Sequence, residues 1–433
     1  MKMQYKLIFP AVFSLLLTVG CSTSYCCCKK NAAPENVKKN SPQDEVRLLL
    51  PEKIYAVPGI ETNIYFENAV RVINPANYVF HVTGTIAGAD TSKWLQGPIG
   101  RCDAKRWRFT PTEKEIGSHK ITLHVISERG EIARKDVMVV VTPADAGKDK
   151  AVSMLIVGDS LTESTIYPRQ ILSLVKQAKS PDLKMLGSHT GAGRPVRPGD
   201  AAHEGYGGWR WSTFNSRWTS DEQLKKLTTP RQLISARSPF LAMKDGKLQL
   251  DIQGYFDRKN GGKPADVITF QLGVNDIFLA QDNNVEQYID SIFTEMDKLL
   301  AAFRKAAPDA VIGVGIPTAG CSTQDGFGKN YRNLYFRWQY KKNQHRLAER
   351  MMEKFAKHNP YKVRLIPAYL NLDCENNFPT VSESVSQGSG KKVIRQNNGV
   401  HPAPDGYRQL GDSFYCWLKA VLHEQQTALQ TKK

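Results

Sequence analysis

After its first twenty residues the sequence has no apolar stretch long enough to cross a lipid bilayer, which excludes a protein with several membrane spans. It also lacks an arginine-rich tract, because its Lys and Arg residues, which give a formal net charge of +17, are spread along the chain. No nucleic-acid-binding segment is therefore predicted, although an acidic partner such as uronic-acid polysaccharide or anionic lipid stays open. A length of 433 residues is too great for one ordinary core and predicts two domains with tails.

Residues 1–20 have the pattern of a signal peptide. Lys2 and Lys6 precede an apolar run over residues 7–19, which is too short for a comfortable membrane span. The run ends in Thr-Val-Gly-Cys at Cys21, which resembles a bacterial lipobox, although Leu is commoner than Thr at position 18. The resemblance implies an exported bacterial lipoprotein, periplasmic or at the cell surface, whose lipidation site is Cys21.

Residues 21–45 are polar and predict a flexible tether that holds the folded part away from a membrane. The tether contains a cysteine triplet without a nearby histidine, so no metal site is predicted there. Export permits disulfides in the folded regions, and Cys321 with Cys374 is the first candidate pair, but the sequence leaves the pairing open. The cysteines of these two groups are Cys26, Cys27 and Cys28 in the tether, and Cys102, Cys321, Cys374 and Cys416 in the folded regions.

Residues 46–145 predict an all-β domain, because short apolar or alternating runs recur there with turn residues between them, as in a β-sandwich. The runs cover residues 47–50, 62–66, 78–82, 106–109, 120–125 and 137–141. Residues 107–141 resemble the last strands of an immunoglobulin-like or cadherin-like module. No cluster of chemistry-bearing residues falls in this domain, so a spacer or a brace for the catalytic domain is favoured over sugar binding.

Residues 150–425 follow a linker and predict an α/β domain, because apolar strands alternate with helices there. A helix is expected over residues 285–306, whose apolar side chains fall on one face, and a second over residues 334–358. Buried strands are expected at residues 153–157, 184–187, 267–272, 310–315 and 363–366. The pattern predicts a three-layer domain with a parallel sheet and a site at the carboxyl ends of its strands.

Four short segments of this domain carry polar groups suited to catalysis. An apolar strand leads into Gly-Asp-Ser at Ser160, which places a hydroxyl beside the free amides of a helix start. Residues 203–211 combine glycines, which let a backbone amide approach a ligand, with tryptophans that suit stacking on a sugar ring. Asn275 follows a second buried strand, and His401 lies in a loop next to proline. Singly, each segment is explained as well by a turn, a cap or a packing residue.

The order of the four segments is more informative than any one of them. Gly-Asp-Ser-Leu, Gly-Gly-Trp, Gly-Val-Asn-Asp and Val-His-Pro follow one another along residues 152–422. Together they resemble the signature blocks of the SGNH (GDSL-type) hydrolases. The resemblance implies a serine ester hydrolase in which Ser160 is the nucleophile and His401 its base. It further implies an oxyanion hole formed by the amides of Ser160 and Gly208, with Gly207 as the alternative, and by the side chain of Asn275.

One position departs from the family pattern. The family usually has Asp three residues before the catalytic histidine, where this chain has Asn398. An aspartate orients the imidazole and stabilises its positive charge, whereas asparagine adds no charge. Three interpretations follow: a Ser-His dyad whose ring is oriented by Asn398 or a backbone carbonyl, a substitute acid at Asp373 or Asp405, or a weakened or inactive relative.

The substrate is predicted from the segment around Trp209. It looks like the corresponding segment of carbohydrate esterases, which implies removal of acetyl groups from polysaccharide, with Asp159, Glu204, Tyr206 and Trp209 in substrate binding. Residues 212–264 form a long segment between blocks, which is a candidate wall of the pocket or equally an insertion without a role in the site. A lipid or thioester hydrolase and a non-catalytic glycan-binding lipoprotein are the alternatives. No cofactor and no metal is required for this chemistry.

Overall fold

β-Sheets form the first third of the chain in the computed structural model, which describes residues 46–85 and 98–430. The elements of the first part are β1 (Arg47–Leu48), β2 (Lys53–Ala56), β3 (Thr62–Tyr65), α1 (Phe66–Ala69), β4 (Val70–Arg71), β5 (Val79–Gly84), β6 (Arg101–Cys102), β7 (Arg106–Phe109), β8 (Gly117–Ser127) and β9 (Gly130–Val141), with 3-10 turns at Pro75–Asn77 and Glu113–Glu115. The signal peptide, Cys21 and the tether predicted from the sequence lie outside the described residues.

Three sheets arise from these strands, in the orders β2-β9-β8-β5, β3-β7-β6 and β1-β4. Their pairs are antiparallel except for β2 with β9. In β8, Ile121, Leu123 and Val125 point inward and alternate with more exposed residues, as a half-buried strand requires. The predicted β-domain is therefore confirmed as antiparallel sheets, while its immunoglobulin-like character stays a prediction.

The second part of the chain begins with a strand and a helix that carry the Gly-Asp-Ser segment. Its first elements are β10 (Ala151–Gly158), α2 (Ser160–Glu163), α3 (Ile166–Ala178), β11 (Asp182–Leu186), β12 (Glu204–Gly205), α4 (Trp211–Ser216), α5 (Asp221–Leu224), α6 (Pro230–Ile234), β13 (Leu241–Lys244), β14 (Lys247–Leu250) and α7 (Ile252–Asn260). β13 and β14 form an antiparallel hairpin within the long segment between blocks.

The remaining elements complete the α/β domain. They are β15 (Val267–Gln271), α8 (Val274–Ile277), α9 (Val285–Ala306), β16 (Val311–Gly315), α10 (Gln324–Tyr331), α11 (Arg337–Lys357), β17 (Val363–Ile366), a 3-10 turn at Ala368–Asn371, β18 (Thr380–Ser384), β19 (Lys392–Gln396) and α12 (Pro404–Gln430). Five strands form a parallel sheet in the order β11-β10-β15-β16-β17, and β12 pairs with β10. The predicted parallel α/β fold is confirmed.

Helices cover both faces of the parallel sheet. Successive residues of β10 point to opposite faces: Met154 belongs to the apolar cluster that contains α3 and α12, and Leu155 to the cluster that contains α9. α9 has the bounds predicted from its apolar periodicity, and α11 begins three residues later than predicted, at Arg337. In the described residues, no helix is both long and apolar enough to span a membrane.

The β-sheets share an apolar cluster with the α/β domain. Ile64 and Trp107 pack in one cluster with Ile316, Tyr369 and Leu370. Residues 46–433 accordingly fall into one compact unit. The first sheets thus pack against the chain that follows β17, and that chain also forms hydrogen bonds with residues 396–403 around the His401 loop.

The candidate disulfide between Cys321 and Cys374 is not formed. Both residues are buried free thiols, and Cys102 and Cys416 are free as well. Sγ of Cys321 donates to the carbonyl of Thr323 at 3.2 Å, whereas Sγ of Cys374 lies 3.4 Å from Oδ1 of Asn68. Each sulfur is thus engaged with a different polar neighbour.

Candidate active site

Ser160 lies where β10 ends and α2 begins. Asp159 caps α2 by accepting a hydrogen bond of 2.9 Å from the amide of Leu161. The turn leaves no room for a side chain at Gly158, where a Cβ would lie 1.9 Å from Oγ1 of Thr162. The Gly-Asp-Ser segment therefore forms a tight strand-to-helix turn that presents the Ser160 hydroxyl at the carboxyl edge of the sheet.

His401 is positioned to act as the general base. Its Nε2 lies 2.8 Å from Oγ of Ser160, across 241 positions of sequence. The residue lies in the loop between β19 and α12. In the tautomer whose Nε2 is unprotonated, the ring accepts the Ser160 hydroxyl proton and activates the oxygen as a nucleophile.

The surroundings of His401 keep its ring in the form that accepts a proton. Burial lowers the pKa of His401 below its ordinary value, and the negative charge of Glu163 raises it by a smaller amount. The imidazole is therefore neutral at neutral pH, as a general base must be.

Asn398 binds the backbone of the histidine loop. Its Oδ1 accepts hydrogen bonds from the amides of Val400 and His401, at 3.1 and 2.9 Å. The side-chain oxygen is thus used to hold the loop turn, and the interpretation in which it orients the His401 ring requires correction. A loop held in this way still fixes where the imidazole lies.

The two substitute acids considered from the sequence, Asp373 and Asp405, form hydrogen bonds or ion pairs with residues other than His401. Asp373 accepts hydrogen bonds from the amides of Glu375 and Asn376, at 2.9 Å each. Asp405 is paired with Arg408 on the first turn of α12. Neither carboxylate contacts the His401 ring, so a substitute acid at these positions is not what the structure provides.

The candidate oxyanion donors are two backbone amides and the side chain of Asn275. The amides of Ser160 and Gly208 donate no hydrogen bond to any described residue, and Gly208 has a left-handed φ of 77° in open space. Nδ2 of Asn275 donates hydrogen bonds to the carbonyl of Trp209 at 3.1 Å and to Oδ2 of Asp159 at 3.4 Å, and these two contacts orient the amide. Gly207, the alternative, is exposed beside Gly208.

Asp159 positions Asn275 from beneath the site. Its Oδ2 lies 3.4 Å from Nδ2 of Asn275, and its side chain has no exposed surface. Burial, with a smaller effect from the negative charge of Asp276, raises the pKa of Asp159 to about 7. Asp159 therefore joins the serine turn to the oxyanion-binding asparagine without contacting the substrate.

Glu204 is the centre of a buried polar cluster. It accepts hydrogen bonds from Ser188 at 2.8 Å, from Tyr255 at 2.9 Å and from Tyr206. Tyr206 stacks on Trp209 with ring centroids 4.2 Å apart. These contacts support the glycine turn at residues 207–208 from below.

The substrate contacts predicted for four residues therefore require correction. Asp159, Glu204, Tyr206 and Trp209 are at most 5% exposed, so they have almost no surface to offer a sugar. Residues 212–264 are divided between core and cavity, and Phe240 and Tyr255 lie in the core. Arg231 is the member of that segment that reaches the catalytic cavity.

Glu163 and Arg231 are functional candidates that the sequence analysis missed. They lie with Ser160 and His401 in a cavity of about 430 Å³, which is also lined by Gly191, Ala192, Ser164, Arg194 and Tyr407. The spacing of Glu163, three residues after Ser160, is the signal that could have identified it, because residues three apart share one helix face. No comparable signal marks Arg231.

The contact between Ser160 and His401 at the carboxyl edge of a parallel sheet is the arrangement of a serine hydrolase that acts by acyl transfer. Residues 154–414 match the family model of the GDSL-like lipase/acylhydrolases, which covers more than half of the chain. The chain belongs to this family, the GDSL or SGNH hydrolases, and is an ester hydrolase. A search of curated proteins finds no match to the sequence.

Solved structures with a similar fold include three esterases. A family 3 carbohydrate esterase of Clostridium thermocellum has 16% identity and a TM-score of 0.37, covering 64% of this chain and 99% of its own. A family 3 carbohydrate esterase of Talaromyces cellulolyticus has 18% identity and a TM-score of 0.36, covering 63% and 99%. A carbohydrate acetylesterase of Sinorhizobium meliloti has 12% identity and a TM-score of 0.33, covering 62% and 99%.

Proposed function

We propose that the protein is a serine esterase that removes short acyl groups, acetyl above all, from carbohydrate. The observation that carries the proposal is the 2.8 Å contact between Nε2 of His401 and Oγ of Ser160, within a cavity of about 430 Å³. A hydroxyl activated by a neutral imidazole is the requirement for attack on an ester.

The proposed reaction has two steps. Oγ of Ser160 attacks the ester carbonyl carbon while Nε2 of His401 takes its proton, and the oxyanion is held by the amides of Ser160 and Gly208 and by Asn275. The carbon–oxygen bond then breaks, and His401 returns the proton to the departing alcohol. Water attacks the acyl-Ser160 by the same route, which releases the carboxylic acid and restores the serine.

The composition of the catalytic cavity supports a short acyl group and a polar alcohol. Its lining carries charged and hydroxyl groups, and Ala192 is its one aliphatic side chain among the described residues. A long acyl chain needs an extended apolar surface to leave water, and the apolar side chains of this lining are Ala192 and the ring of Tyr407. The charged and hydroxyl side chains of the lining can form hydrogen bonds with alcohols that carry several hydroxyl groups, such as sugars.

The proposal includes export and membrane attachment. It assigns residues 1–20 to a signal peptide and Cys21 to lipidation, on the pattern of those residues alone. A surface or periplasmic lipoprotein would meet acylated polysaccharide outside the cytoplasm.

The test compares p-nitrophenyl acetate, butyrate and octanoate as substrates of the purified protein and of Ser160→Ala. We expect kcat/KM to fall as the acyl chain lengthens, and activity to vanish in Ser160→Ala. A preference for octanoate would favour the lipid alternative. Equal rates for both proteins on model esters and on acetylated polysaccharides would favour a non-catalytic glycan-binding protein.

A further inference from the structure

A second cavity, of about 420 Å³, lies between α4 and the first turns of α9. Its volume falls in the range of about 300–1,000 Å³ that is usual for ligand pockets. Six polar residues of its lining carry the argument that follows: Arg210, Ser212, Asp276, Gln287, Tyr288 and Ser291.

This cavity adjoins the oxyanion loop. Asp276 directly follows Asn275, and Arg210 is two residues after Gly208, so its Cα is within about 8 Å of the Cα of Gly208. Asp276 also accepts a hydrogen bond of 3.0 Å from the amide of Trp211, which ties α8 to α4. Because α2 and α8 both begin where parallel strands end, the second cavity lies at the same edge of the sheet as Ser160.

The polar groups around the cavity are left without partners. Among the described residues, the side chains of Ser212, Gln287, Tyr288 and Ser291 form no hydrogen bond, and the guanidinium of Arg210 forms no ion pair. Arg210, Gln287 and Ser291 are exposed, and Ser212 and Tyr288 are half-buried, so these groups are free to bind a ligand in the cavity.

Asp276 supplies a second, independent indication of a ligand. Its side chain is only 8% exposed, yet Oδ2 has no hydrogen-bond partner while Oδ1 is used by Trp211. Burial raises the pKa of Asp276 to about 7, so at neutral pH this carboxyl group is available as either donor or acceptor. A buried carboxyl group without a partner is costly unless a bound group completes its hydrogen bonding.

The chemistry of the lining matches a sugar ring. Hydroxyl, amide and carboxyl groups offer donors and acceptors together, as vicinal sugar hydroxyls require, and the half-buried ring of Tyr288 adds apolar surface for the ring carbons. A cation is a poorer match, because the oxygens of Glu295 in this lining are already bound by Lys298 and Asn215.

We propose that this cavity binds a second sugar unit of the glycan whose ester is cleaved at Ser160, so that the substrate is an oligomer or polymer lying across the oxyanion loop. This inference rests on the proposed function and extends it from an acylated sugar to a chain of sugars. It assigns Gln287, Tyr288 and Ser291 to substrate binding away from the reacting atoms.

The test uses Ser291→Trp, which fills the cavity, and Gln287→Ala, which removes one polar partner. Ala301→Trp is the matched control, since residue 301 is exposed on the same helix but does not line the cavity. The probes are chemically acetylated xylotetraose and tetragalacturonate, with p-nitrophenyl acetate as an ester that lacks a sugar. Acetate release and KM are measured for the full chain.

We expect Ser291→Trp to lower kcat/KM on an acetylated tetrasaccharide about 10-fold or more through KM, and Gln287→Ala to lower it in the same direction. On p-nitrophenyl acetate, kcat/KM of both variants should stay within about two-fold of the parent value. Ala301→Trp should have the kcat/KM of the parent on every probe.

Two results would overturn the inference. Variants that equal the parent on the tetrasaccharides would show that no sugar occupies the cavity, and equal losses on all probes would show an effect through the oxyanion loop. A parent enzyme that hydrolyses p-nitrophenyl acetate through Ser160 but neither tetrasaccharide would instead overturn the carbohydrate part of the proposed function, and this inference with it.

Discussion

Glu163 and Arg231 are joined by two hydrogen bonds of 2.7 Å in the cavity that also contains Ser160 and His401. Glu163 belongs to the helix turn of the nucleophile, whereas Arg231 belongs to α6 in the long segment between blocks. The Glu163 side chain is 11% exposed and that of Arg231 is 62% exposed. The pair therefore holds a carboxylate near the catalytic imidazole in a chain that has Asn398 where its family usually has aspartate.

Replacing Glu163 with Gln should lower kcat/KM on p-nitrophenyl acetate about 10-fold, because the imidazolium formed at His401 loses a stabilising negative charge. The same change lowers the pKa of His401, whose neutral form is the active one. The acidic limb of the pH profile of kcat/KM should therefore move to lower pH.

The pH profile is measured beside that of Glu222→Gln, which changes an exposed carboxylate outside the cavity. This control should leave both kcat/KM and the acidic limb of its pH profile unchanged. An acidic limb that stays in place in Glu163→Gln would mean that Glu163 does not act through His401.

Replacing Asn275 with Ala should reduce kcat by about 10²–10³, because one oxyanion donor is lost in the transition state. KM should change little, since a ground-state carbonyl gains less from the donor than the oxyanion does. Steady-state kinetics measure the split, and circular dichroism checks that the loss of contacts to Asp159 and Trp209 has not unfolded the protein. A loss confined to KM would contradict the oxyanion role.

Asn398→Asp should keep activity within about three-fold of the parent, because aspartate accepts the same two amide hydrogen bonds from the histidine loop. Asn398→Ala removes both bonds and should lower kcat about 10-fold by loosening the loop. Rates on p-nitrophenyl acetate check both variants. A large gain in Asn398→Asp would show instead that this side chain reaches the ring.

Asn68→Ala should destabilise the protein by about 2–4 kcal/mol. Nδ2 of Asn68 is buried and donates hydrogen bonds of 2.8 Å to the carbonyls of Tyr369 and Leu372. In Asn68→Ala both carbonyl oxygens lose this donor. Denaturant unfolding measures the change. Asn77→Ala, at an exposed position, is the control and should stay within about 0.5 kcal/mol of the parent.

Asn68→Ala should also reduce kcat, because the segment that follows Tyr369 supports the histidine loop. The carbonyl of Cys374 accepts 2.8 Å hydrogen bonds from Nε2 of Gln396 and the amide of Ser322, and the carbonyl of Asn377 accepts one of 2.9 Å from Ala403. If Asn68→Ala is destabilised but still folded and its kcat is unchanged, the first β-sheets contribute to stability and not to catalysis.

Most of the catalytic machinery could be predicted from the sequence because it is local. Gly158 and Gly208 stand where a close approach or a positive φ requires glycine, and Ser160 and Asn275 each follow a buried strand of a parallel sheet. Parallel strands end at one edge, so their ends were expected to meet. The 3.4 Å contact between Asp159 and Asn275, which follow β10 and β15, agrees with that expectation.

The positions that were mispredicted depend on contacts between distant parts of the chain. Exposure cannot be inferred from residue type, so the tryptophan and tyrosine of residues 203–211 were expected to face substrate, whereas they pack over the buried Glu204. The Cys321–Cys374 pair was expected from export chemistry, but each thiol is held by a different polar neighbour.

The sequence by itself determined the order of strands and helices and the strand-end turns, because periodicity and turn chemistry act over a few residues. Only the tertiary structure decided that Asn398 holds the loop backbone and that Glu163 meets Arg231 across 68 positions. It also decided which polar side chains remain without partners between α4 and α9. Such contacts follow from how the whole core packs, and no local pattern encodes them.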